Sequence, residues 1–96
     1  MRHYIAVIHK DEGSAYGVHF PDVPGCFSAG ETLDEAIRNA ATALRFFAED
    51  ADMPEAPHEL DAIRADPALA QDIAEGCTLA AIPFALATAA RTAHEA

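Results

Sequence analysis

Two periods of hydrophobic positions run along this chain. Residues 2–9 (RHYIAVIH) are β-branched and aromatic, with Tyr4, Ala6 and Ile8 on one side of an extended chain and Ile5 and Val7 on the other. A strand apolar on both sides needs cover on both, which places it centrally in its sheet. The polar run Lys10-Asp11-Glu12-Gly13-Ser14 is a hairpin turn into a second strand over residues 15–20. Gly17 interrupts that strand and marks a bulge or a close approach. Pro21 and Pro24 hold Phe20 and Val23 extended, and Pro24-Gly25 fits the centre of a type II turn. Residues 26–29 form a short third strand, and Gly30 supplies the bend into a helix.

The period then changes from two to three-and-four. Leu33, Ile37, Ala40, Leu44, Phe47 and Ala51 form one apolar stripe, with Arg38, Glu49, Asp50 and Asp52 largely off it. Thr32 and Glu35 have capping-box spacing: the Thr32 hydroxyl accepts from the Glu35 N–H, and the Glu35 carboxylate reaches back to the Thr32 N–H. The helix runs to about residue 52, and Pro54 and Pro57 end it. Residues 58–65 form one or two helical turns with Leu60 and Ile63 inward. Asp66-Pro67 starts a further helix, which carries Leu69 and Ile73 and stops at Gly76. Residues 78–84 (TLAAIPF) are a fourth strand, held to an edge or ended by Pro83. Residues 85–96 form an Ala-rich helical tail. The order β-β-β-α-α-β-α defines an α+β fold: a three-stranded antiparallel meander plus a fourth strand, packed by one long amphipathic helix. Residues 1–84 form the domain and 85–96 the tail.

Composition narrows the function. Ninety-six residues make one domain. Sixteen acids against six lysines and arginines give a net charge of −10. Such a chain repels phosphate backbones and suits a basic protein partner. Cys26 and Cys77 form no CxxC pair and read as buried free thiols in a reducing cytoplasm. The N-terminus is too polar for a signal peptide. The least polar run, 77–90, falls short of the roughly 20 residues that span a bilayer. The expected location is the cytoplasm, off the membrane.

No catalytic constellation assembles. His3, His9, His19, His58 and His94 include no HxH or HxxxH pair, so no metal site and no cofactor is expected. His9 and His19 fall opposite each other across the first hairpin. Asp22, in the proline loop, reads as a turn-shaping acceptor of backbone N–H groups rather than a base. Asp34 and Glu35 suit the positive end of the helix dipole. Glu31 has no structural task and is a contact for a basic partner. Arg38 and Arg45 are expected to pair with Asp34 or Glu49. The serines lie in no nucleophile elbow.

The residues FPDVPGC at 20–26, followed by GETLDEAIRNA at 30–40, resemble the N-terminal domain of HicB-type antitoxins. Phe20, Pro21, Pro24, Gly25, Gly30, Thr32 and Glu35 carry the structural signature. The resemblance covers about residues 4–84. It implies a partial ribonuclease-H-like fold. Enzymes of that fold place a metal-binding acid in the middle of the first strand, where this chain has none before Asp11. The resemblance therefore implies a non-enzyme that binds and occludes a basic, mRNA-cleaving HicA-type toxin. Asp22, Glu31 and Asp34 are the carboxylates near the motif and the partner-binding candidates. The 12 residues after Phe84 are too few for a helix-turn-helix or ribbon-helix-helix, which argues against direct DNA binding. The alternatives are a stand-alone HicB-like interaction module with a non-toxin partner and, behind it, a metal-dependent nuclease. Exposed sheet edges and the Ala-rich tail predict a homo-oligomer, dimer or higher.

Overall fold

β1 (Arg2–Lys10) is an inner strand of a four-stranded antiparallel sheet ordered β3-β2-β1-β4. The structure, a computed structural model, describes residues 2–10 and 12–84. The tail expected over 85–96 therefore lies outside the described residues. β2 (Tyr16–His19) pairs with β1 from Val7↔His19 to Lys10↔Tyr16. β3 (Phe27–Gly30) pairs with β2 from Tyr16↔Gly30 to His19↔Phe27. β4 (Thr78–Phe84) runs along the other side of β1 from Arg2↔Phe84 to Ile8↔Thr78. Pro83 thus sits in an edge strand, where its missing N–H costs no ladder bond.

The two-sided apolar pattern of β1 has two different covers. On one face Tyr4, Ala6 and Ile8 join Val18, Phe20, Ile82 and Phe84 beneath α1 (Leu33–Asp50). Ala36, Ala40 and Leu44 are the fully buried positions of that helix, and two alanines let its backbone lie close to the sheet. The Tyr4 and Phe84 rings meet edge to face at 5.6 Å. The Tyr4 hydroxyl donates to the Pro54 carbonyl, mooring the segment after α1 to the first strand. On the other face Ile5 and Val7 pack under Ile63 of α2 (Leu60–Arg64) and Leu69 of a 3₁₀ turn (Pro67–Leu69). Ile73 of α3 (Ala70–Ala74), Cys77 and Leu79 complete that smaller cluster.

Most local expectations hold, and the departures have physical causes. The type II turn is present: Gly25 has φ +93°, and the Cys26 N–H donates to the Val23 carbonyl at 3.1 Å. The Thr32 hydroxyl accepts from the Glu35 N–H at 3.1 Å, but the Glu35 carboxylate takes the Glu31 N–H at 2.6 Å rather than that of Thr32. Gly30 is required by packing, not by a bend. A Cβ there would lie 2.4 Å from the Ala36 nitrogen, because α1 rests directly on β3. Gly17 is a close approach without a bulge: its pairing is continuous, and a Cβ would meet the His9 ring at 3.0 Å. The helix expected from Asp66 to Gly76 is divided. An Asp66 carboxylate bond to the Ala68 N–H and a Leu69 N–H bond to the Asp66 carbonyl tighten its start into the 3₁₀ turn. Gly76 closes α3 with φ +90°. Its N–H donates to the Ile73 carbonyl and that of Cys77 to the Asp72 carbonyl, the paired bonds of a Schellman stop. Leu60 is 38% exposed rather than inward. Ile5, Val7 and Leu79 offer a small apolar surface, and Ile63, Leu69 and Ile73 already fill it.

Candidate functional site

The proline loop is held from a distance. Asp22, expected to shape its own turn, instead binds His58, 36 residues away. One carboxylate oxygen accepts the His58 N–H at 2.6 Å, and the other lies 2.7 Å from Nδ1. The Asp22 side chain is 13% exposed while that of His58 is 67% exposed, so the acid is the inner partner. The turn is shaped by backbone bonds: the Val23 N–H donates to the Phe20 carbonyl at 3.0 Å, directly before the Val23–Cys26 turn. Asp22 thus pins the start of the second layer against the loop.

Glu31 and Asp34 are both exposed at the start of α1. Arg38 and Arg45 pair with neither Asp34 nor Glu49; among the described residues the ion pair is Asp22–His58. Exposed helix pairs gain little in water, so nothing fixes these long side chains together.

Among the described residues, the second face of the sheet is open over β2 and β3. Phe27 stands opposite His19 in the ladder and is 70% exposed. Ala29, also exposed, stands opposite Gly17, over which the His9 ring lies. The His9 and His19 ring centroids are 6.0 Å apart, but the two residues are diagonal rather than opposite in the ladder, where His9 faces Gly17 and His19 faces Val7. Burial holds the His19 imidazole below its ordinary pKa; Asp72 pulls it up and His9 pushes it down further. Beside them is a hollow of about 470 Å³ bordered by His9, Asp72, Glu75 and Cys77. Cys77 is half-buried rather than buried, and burial raises its thiol, as it does that of Cys26. Among the described residues no three His, Cys, Asp or Glu side chains cluster to share an ion. No described helix is long and apolar enough to cross a membrane.

The open face escaped the sequence reading. The signal was the alternation in Phe27-Ser28-Ala29, which puts Phe27 and Ala29 on the His19 side. What the sequence withheld is how far the short helices would reach.

Residues 4–92 match the family described as the HicB-like antitoxin of bacterial toxin–antitoxin systems. The fold superposes on the crystal structure of the Burkholderia pseudomallei antitoxin HicB with a TM-score of 0.71 and 32% identity, covering 90% of this chain and 65% of that one. A chain of the HicA3 and HicB3 toxin–antitoxin complex aligns with a TM-score of 0.67 and 26% identity, over 86% of this chain and 98% of that one. An uncharacterised 14.9 kDa protein from the rep–hol intergenic region of Haemophilus phage HP1 is 62% identical over 34 residues, 35% of this chain and 26% of its own length. The chain thus spans about a quarter of the phage protein and just under two thirds of the Burkholderia antitoxin. By its match over nearly its whole length, this chain belongs to the HicB-like antitoxin family.

Proposed function

We propose that this protein neutralises a basic, mRNA-cleaving HicA-type toxin by binding it stoichiometrically and covering its RNA-cleaving surface. The observation that carries this reading is the superposition on a chain of the HicA3 and HicB3 complex, over 98% of that chain. A net charge of −10 supports it, because opposite fields speed encounter and reject wrong partners. The same charge sets the chain against nucleic acid as a direct ligand. Glu31 and Asp34, both exposed, are the carboxylates assigned to the partner. Asp22 contributes through the loop it holds against His58. The reading assigns the chain no catalysis: the middle of β1, Tyr4 to Ile8, carries no acid to grip a catalytic ion. It places the protein in the cytoplasm, as a dimer or higher oligomer joined through its sheet edges.

The test mixes the purified chain with a purified HicA-type protein. One complex on gel filtration and an end to RNA cleavage at equimolar ratio are expected. Affinity should fall as salt rises, since exposed charges are screened beyond about 8 Å at 0.15 M ionic strength. Separate elution of two folded proteins would overturn the proposal.

A further inference from the structure

The second layer covers β1 and β4 and stops short of β2 and β3. What it leaves bare is a short apolar shelf: Phe27 and Ala29 on β3, with His19 and the His9 ring inward of them. Phe27 is the most exposed of the large hydrophobic side chains in the described residues. At the His9 border the shelf meets Asp72 and Glu75, part of a segment, residues 59–76, that holds five acids against Arg64 alone. Asp72 stands near enough to His19 to act on its charge. Lys10, which also borders the hollow, holds its ammonium over the Tyr16 ring, 5.9 Å from the centroid.

We infer that this shelf, with Phe27 exposed on its outer strand and Asp72 at its His9 border, docks an arginine-bearing segment of a basic protein partner. Guanidinium groups stack on aromatic faces and pair with carboxylates, and a segment crossing the shelf from Phe27 to the His9 border meets one of each. A neutral imidazole at His19 adds an acceptor for a guanidinium N–H. Complementary charge selects a cationic protein over a second copy of this chain, which would bring another −10 to the same place. Phe46, 65% exposed on α1, makes the contrast. It stands on a helix surface between Arg45 and Glu49, without a strand face around it.

The inference rests on the antitoxin reading above and specifies the face that reading uses. Its test measures binding of a catalytically inactive HicA-type protein to the full chain and three variants. Phe27→Ser should weaken binding about tenfold or more, as loss of a central aromatic anchor does. The melting temperature of that variant should stay at the wild-type value, because the side chain is mostly in water. Asp72→Asn should bind less tightly and with a shallower salt dependence. Phe46→Ser should bind within about twofold of wild type, as peripheral contacts do. Wild-type affinity in Phe27→Ser overturns the inference and leaves the antitoxin reading standing. So does a Phe27→Ser variant that changes only the chain's own oligomeric state. A wild-type chain that leaves the toxin free overturns the antitoxin reading and the surface assignment together.

Discussion

One face of the sheet lies under a single helix of 18 residues; the other lies under pieces of five, three and five. The single helix meets β2, β3 and β4 and closes its face from edge to edge. The apolar side chains of the pieces pack on the β1–β4 half. The difference follows from chain length per unit of cover. A capped amphipathic helix presents an unbroken stripe, whereas each short piece spends most of its residues on caps and turns. Stability should therefore concentrate on the α1 face, and accessible surface on the other.

Substitutions on the two faces can break that contrast. Leu44→Ala, in the middle of the closed face, should cost about 4 kcal/mol in urea unfolding, as buried Leu→Ala changes do. Gly30→Ala should cost about 2–3 kcal/mol, because the added methyl drives β3 and α1 apart at their contact. Ile63→Ala should cost about 2 kcal/mol, the low end for a cavity in a smaller cluster that can collapse. Equal losses for Leu44→Ala and Ile63→Ala would show the faces to be equivalent. Amide exchange sharpens the same point, with α2 and α3 opening at lower free energy than α1.

The smallest expected effect is pH-dependent and lies at the border of the open face. Burial depresses the His19 pKa below 6.5, so the unfolded chain takes up its proton first. The stability that neutral His19 contributes is complete above about pH 6.5 and is lost as pH falls through the folded value. His19→Gln should flatten this part of the curve, read as the urea midpoint between about pH 7.5 and 5.5. A slope unchanged by the substitution would mean that His19 is as solvated folded as unfolded.

What was legible in the sequence was local. Pro24-Gly25, the Thr32 cap on the Glu35 N–H, and the run TLAAIPF each carry their conformation in adjacent residues and form where expected, while the Glu35 carboxylate takes the Glu31 N–H, one residue before Thr32. The apolar pairs of β1 announced its inner position for the same reason. Contacts between distant segments were not legible. The partner of Asp22 is 36 residues away, and the methyl that Gly30 must lack is excluded by a helix that has not yet begun. The Phe27 shelf is hidden in a further way: it exists because other residues stop short of it. Its alternation was readable, but its exposure depends on where α3 ends.

One small amide on α1 limits how this sheet can grow. Asn39 donates from Nδ2 to the Ala29 carbonyl at 2.8 Å, occupying an acceptor on the last strand of that side. A newcomer laid along β3 would have to evict it before zipping up. Among the described residues, the far margin, β4, has Pro83 alone to discourage company. Lengthening of the ladder is in this sense one-way: stoppered at Asn39 and permitted beside Leu79 and Ala81.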